Sequence, residues 1–296
     1  MHPALSTGLA VALGVALLAG CGGSSPSTTP STAAATIPAT TGPAPAADRA
    51  RARLGAALQR LQREPHHFRV VVRQRFAAAG APPALQRALA ALPTTTTVTA
   101  QVESPRRITS AATLPIGPKL ARIRTVTYDG AWFISRDGTH WRRTSGALAG
   151  ALAQATSIAT TDLLAQLTDV REAGPATFAG VPARRYTGAL DPKVVRRAVG
   201  AIFVRLGVDP GLLTIDGARA EYFVRRADGR VVGVRTTQRV ALDLSRLPGG
   251  PEGTLVSTAT STARYSHQGD PVHVRRPSAS GSVSTPAELV AFLSDG

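Results

Sequence analysis

Tyr128-Asp129-Gly130-Ala131-Trp132-Phe133-Ile134-Ser135-Arg136-Asp137-Gly138-Thr139-His140-Trp141 is the stretch that decides the fold. Asp-Gly between alternating runs is the strongest short hairpin signal, because a type I′ turn needs φ > 0 at both central positions. The stretch predicts strands over 122–128, 131–136 and 139–143, joined as an antiparallel meander that carries Tyr128, Trp132, Phe133, Ile134 and Trp141.

Period-two runs extend this pattern in both directions. Upstream, Phe68, Val70, Val72 and Phe76 alternate with Arg69, Arg73 and Arg75, broken only by Val71. This predicts a strand with one wet face and one dry face. Further strands are expected over 94–103, 107–114 and 120–128. Downstream, 174–190 reads as a hairpin turning at Ala179-Gly180, and 214–226, 230–244 and 254–265 as long strands, the first two joined by Asp228-Gly229. In 230–244, Val232, Val234, Val240, Leu242 and Leu244 are expected on one face and Arg235, Arg239 and Asp243 on the other.

Helical period appears in fewer places. Asp48 caps a run to Gln62 with Leu54, Leu58 and Leu61 on one stripe, stopped by Glu64-Pro65. Pro82-Pro83 opens a short helix bearing Leu85, Leu89 and Leu92. Residues 146–170 read as helical, with Leu163, Leu164, Leu167 and Val170 after Thr161-Asp162. Asp191-Pro192 supplies an N-cap and a first-turn proline for a helix ending before Gly207. Its apolar residues, Val194, Val195, Ala198, Val199, Ile202, Phe203 and Leu206, cover two adjacent stripes, wider than the roughly 100° face a surface helix needs. Thr285-Pro286-Ala287-Glu288 is a capping box ahead of Leu289, Val290, Phe292 and Leu293. The expected architecture is α+β: a large antiparallel sheet with helices segregated to one side. A split near Gly174 would leave each half with an open sheet edge.

The 296 residues are 43% hydrophobic, enough for a core, with 4% aromatics and a net charge of +16. Lys119 and Lys193 are the only lysines, so the charge is arginine. Two readings stay open: the codon bias of a GC-rich, actinobacterial-type genome, or attraction to anionic headgroups or cell-wall polymers. No nucleic-acid-binding motif is visible.

Chemistry is sparse. His2, His66, His67, His140, His267 and His273 lack metal-site spacing, and no metal or cofactor is expected. There is no G-x-S-x-G elbow and no phosphate-cradling G-x-x-x-x-G-K. Asp129, Asp137, Asp191 and Asp228 sit in turns or caps, and Glu221 alone makes no acid/base pair. No catalytic residue is assigned, and the expectation is a protein that is not an enzyme. Trp132 and Trp141 have two roles open to them, core packing or gripping a ligand.

The N-terminus points to location. Leu18-Ala19-Gly20-Cys21 closes an apolar run from Ala4 and contains the only cysteine, which rules out an intramolecular disulfide. The run is too short for the roughly 20 residues of a spanning helix. It resembles a bacterial lipoprotein signal with its lipobox, although Lys and Arg are missing from its first residues. The resemblance implies removal of residues 1–20 and acylation of Cys21, which would anchor the chain to the outer face of the cytoplasmic membrane. Residues 22–47 are Gly, Ser, Pro, Thr and Ala apart from Ile37, and carry no charge until Asp48. Such a segment cannot bury enough apolar surface to offset its ordering entropy, so 21–47 is expected to be a tether to a single domain over 48–296.

Several phrases in order carry a second resemblance: Tyr128-Asp129-Gly130 with Trp132, Ser135-Arg136-Asp137-Gly138, Tyr186-Thr187-Gly188-Ala189-Leu190-Asp191, Asp228-Gly229-Arg230-Val231-Val232 and Tyr265-Ser266-His267-Gln268-Gly269-Asp270-Pro271-Val272. Behind a lipobox they resemble the actinobacterial LppX/LprG-type lipoproteins, part of a wider LolA-like group. The resemblance covers about residues 50–280. It implies a strongly curved half-barrel with helices on its concave side and an apolar cavity holding acyl chains of lipids or lipoglycans. Val195, Val199, Ile202, Phe203, Leu206, Trp132, Ile134 and Trp141 are the candidate lining. The group also includes sensors similar to RseB. The alternatives to a lipid carrier are therefore a membrane-surface sensor or scaffold binding a protein partner, and a structural surface lipoprotein without a ligand.

Overall fold

The computed structural model describes residues 46–296 except 91–93, 117–118, 146–163, 165–166, 194, 197–208, 248–249, 286–287, 290 and 293–296. A helix, α1 (Ala46–Arg63), leads into β1 (His66–Ala79). A short helix α2 (Pro83–Ala90) follows, then β2 (Thr95–Ser104), β3 (Arg107–Ile116), β4 (Lys119–Tyr128), β5 (Ala131–Ser135), β6 (Trp141–Thr144), β7 (Leu167–Phe178), β8 (Val181–Leu190), β9 (Leu213–Arg225), β10 (Val231–Asp243), β11 (Thr254–Ser266) and β12 (Ala279–Val283). All twelve strands belong to one sheet, in the order β12-β6-β5-β4-β3-β2-β1-β11-β10-β9-β8-β7. Every neighbouring pair is antiparallel except β12 on β6, which is parallel.

The first Asp-Gly hairpin forms as expected. Asp129 and Gly130 both have positive φ, at 47° and 87°, and join β4 to β5. The second does not. Between β5 and β6 only Gly138 has positive φ, and Asp137 instead folds a wider loop, its Oδ1 accepting from the backbone N–H of Thr139 and His140. The loop between β9 and β10 is also wide: Gly229 alone has positive φ, and Asp228 accepts from the Arg230 N–H. Ala179 and Gly180 make a tight turn between β7 and β8.

Two face assignments are corrected by β-bulges. Leu167 and Val170 are in β7, not in a helix. Asp169 takes φ of 51° and the register shifts between Thr168 and Arg171, so two residues three apart point to one face. In β10 the register shifts between Val231 and Gly233. Val231 therefore joins Val234, Val240, Leu242 and Leu244, while Val232 packs on the opposite face with Phe178, Ala183 and Phe223.

Register through the sheet separates the two faces. On the first, α1 lays Ala50, Leu54, Ala57, Leu58 and Leu61 against Leu167 and Val170 of β7, Tyr186 and Leu190 of β8, and the inward residues of β9 and β10. At the far end of that face Leu289 and Phe292 pack on Ile123 of β4 and Ile134 of β5. This is the helix-bearing face. The other face carries the arginines of β1, β4 and β11. One end of it is crossed by a strap from Pro271 to Ser278, whose Val272 and Val274 pack on Val126 and Phe133. Glu103 pins the strap by accepting from the Val274 N–H at 2.8 Å.

Leu54 is completely buried in the seat of α1. Leu54→Ala is expected to cost about 2–5 kcal/mol, since the helix backbone cannot collapse into the vacated volume. Urea unfolding measures this, and a loss below about 1 kcal/mol would show that the seat is loosely packed.

Candidate functional site

The helix-bearing face is the candidate site, because among the described residues its apolar side chains fall into several clusters rather than one contiguous core. Large residues gather at the α1 end. The centre is made of small ones. Ala100 and Ser110 stand directly opposite each other on β2 and β3, and Val98 faces Ala112. On β11, Ser257, Ala259 and Ser261 run along the same face, with Gln74 of β1 paired to Ala259. Ala259 and Val72 form a separate cluster, and Ala100, Val102 and Ile108 form another. A packed domain normally has a single contiguous core with satellites under loops. Here the clusters lie in series along one sheet face.

The central strip is not purely apolar. Gln74, Thr96, Gln238, Ser257 and Ser261 are all buried. Gln74 donates to the Ser257 hydroxyl at 2.8 Å. Burying amides and hydroxyls costs free energy unless they are hydrogen-bonded, so a polar seam in this position is a feature a plain core would omit.

The candidate lining residues fall in different places. Trp132 and Ile134 are buried on the helix-bearing face, Ile134 against Ile123, Leu289 and Phe292. Trp141 is on the opposite face, half-buried against Val126, Phe133 and the strap, its Nε1 donating to the Gly138 carbonyl at 3.1 Å. The sheet thus separates the two tryptophans, which cannot grip one ligand together. Strand alternation places Trp132 and Trp141 on opposite sides once the loop of β5–β6 is longer than a two-residue hairpin. Val195 is buried within the main cluster. The start of its helix is capped as expected, Asp191 Oδ1 accepting from the Lys193 N–H at 2.8 Å. Val199, Ile202, Phe203 and Leu206 lie outside the described residues, as do Cys21 and residues 22–45 of the expected tether, whose last two residues, Ala46 and Ala47, instead open α1.

Perturbed titratable groups mark turns and braces rather than a reaction centre. Hydrogen bonding from the His140 ring, then from the His140 and Thr139 N–H groups, holds Asp137 well below the carboxylate range. The Val274 N–H, with help from Arg107, holds Glu103 below its ordinary value. Burial pushes the His66 imidazole down, against the bond it donates to the Glu64 carbonyl. Among the described residues no group of three His, Cys, Asp or Glu could hold a metal ion. Among them, too, no helix is long and apolar enough to cross a membrane.

No family model matches the chain. No curated protein matches it. Among solved structures it is similar to the lipoprotein LppX of Mycobacterium tuberculosis, at 16% identity and TM-score 0.40 over 77% of this chain and 99% of that one. LprF from Mycobacterium bovis aligns at 12% identity and TM-score 0.44, over 78% and 98%. A LolA-superfamily protein from Nitrosomonas europaea aligns at 10% identity and TM-score 0.25, over 79% and 96%. These are the kinds of protein whose phrases the sequence resembles. At this distance the likenesses carry no argument about ligand or activity.

Proposed function

We propose that this chain is an exported lipoprotein, anchored through acylated Cys21, that binds acyl chains of a lipid or lipoglycan against the helix-bearing face of its sheet. The observation that supports this most directly is the central strip. Ala100, Ser110, Ala112, Ser257, Ala259 and Ser261 share one face across β2, β3 and β11, between bulkier ends. These side chains are small and their neighbours Val72, Val98, Val102 and Ile108 are apolar, so an acyl chain seated there would meet a smooth, largely apolar surface. A curved half-barrel with its helices on the concave side fits the same arrangement. The polar seam through Gln74, Gln238 and Ser261 would meet ester or hydroxyl groups near the head of a lipid, which an aliphatic wall could not satisfy.

The reading is tested by native mass spectrometry of the protein purified without detergent, followed by solvent extraction. A lipid-sized adduct that leaves on extraction is the expected result. A folded, monodisperse protein with no adduct and no extractable lipid would overturn it.

A further inference from the structure

The second face of the sheet carries a groove of about 660 Å³ lined by Arg69, Arg122, Arg124, Arg264, His67 and His267, with a floor of Thr, Ser, Ala and Gln and no carboxylate among the described lining residues. The register explains its shape. Arg264, Arg69, Thr99, Ala111 and Arg124 stand in one row across β11, β1, β2, β3 and β4. Arginines stand at both ends of that row and short side chains fill the middle. Three strand steps separate Arg69 from Arg124, about 14 Å.

The arrangement is costly in the absence of an anion. Arg69 and Arg264 are directly opposite in register, and like charges in that position are destabilising. Elsewhere on the sheet arginines are neutralised: Arg185 and Arg235 by Glu221, Arg184 by Glu172, Arg239 by Asp216. Among the described residues none of the four groove arginines has an ion-pair partner. Arg73 and Arg75 extend the exposed positive strip along β1.

We propose that this groove binds a polyanion with repeated phosphate groups, laid across the strands from the Arg69–Arg264 wall to the Arg122–Arg124 wall. The guanidinium fork matches phosphate oxygens in a bidentate way. The strands that carry the two walls are about 14 Å apart, so a ligand with several phosphates can engage both walls at once. A flat bilayer fits less well, because the charges line a recess, although Phe68 is also part of the lining. The site lies on the opposite face from the proposed acyl site and does not depend on it.

Long-chain inorganic polyphosphate is the probe, titrated into the full-length chain by calorimetry at several salt concentrations. Arg69→Gln with Arg264→Gln, and separately Arg122→Gln with Arg124→Gln, are each expected to weaken binding at least tenfold. Each should also flatten the log K against log salt slope, by a little under one unit for every phosphate that is no longer neutralised. Arg63→Gln with Arg226→Gln, exposed arginines away from the groove, should change affinity less than twofold. Circular dichroism confirms the folding of each variant, and the two pairs sit on different strands, so one remains informative if the other misfolds. Equal losses in the control pair would reduce the effect to net charge and overturn the proposal. So would the absence of polyphosphate binding, including the case where phosphatidylglycerol vesicles bind instead and assign the face to a bilayer.

Discussion

A chain carrying Cys21→Ser should leave the detergent phase of a phase-partition experiment completely, while the wild type stays in it. The thiol of Cys21 is the only one in the sequence, so no second site can take the acyl group. Each buried methylene contributes roughly 0.8 kcal/mol, and stable anchoring takes two chains or a chain plus a basic patch. Among the described residues no helix is long and apolar enough to cross a membrane. The arginine face could hold the variant to anionic membranes only weakly, and that attachment should wash off in high salt because exposed charges are screened. In a separate membrane-pelleting experiment, release of the variant that is complete at high salt and partial at low salt would separate the two contributions. Unchanged partitioning, with no acyl mass on the wild-type protein, would sink the lipoprotein reading.

Much of the sheet was legible because strand alternation and Asp-Gly turns are local signals. Asp129-Gly130 adopts both positive φ values that its turn type needs. The Arg/apolar alternation of β1 emerges directly as its wet and dry sides. What failed was also local, and failed for an identifiable reason. A bulge at Asp169 puts Leu167 and Val170 on one face at helical spacing, so periodicity alone points to the wrong element. The bulge before Gly233 likewise moved Val232 across the sheet. Its neighbour Gly233 has no Cβ because the Phe178 ring lies where one would be. β12, Ala-Ser-Gly-Ser-Val, has little strand propensity and pairs in parallel at the sheet edge, so nothing in its composition announced it.

The sites were less legible than the fold. Alternation shows that Arg69, Arg122, Arg124 and Arg264 face solvent. It cannot show that they share a row, because that depends on register between strands as distant in sequence as β1 and β11. The same limit hid the small-residue strip, whose members come from β2, β3 and β11. Each alanine or serine alone is unremarked in a strand; only their alignment across the sheet is informative.

That alignment makes the strip the place where enlarging a side chain separates a lipid site from a dry core. Ala259 is 3% exposed and Ala100 6% exposed. In a close-packed interior, Ala259→Leu or Ala100→Phe forces side chains off their rotamers and costs about 1–3 kcal/mol or more. If the space above the strip belongs to a ligand, the added atoms enter that space. The delipidated protein should then lose less than about 1 kcal/mol in urea unfolding, while co-purifying lipid falls by most of its amount. Leu54→Ala gives the contrast within the same molecule, with full core destabilisation and lipid content retained. We expect the lipid-displacing outcome for at least one of the two alanines. Full overpacking costs at both positions, with lipid content unchanged, would make the strip ordinary core and move any acyl chain elsewhere on the molecule.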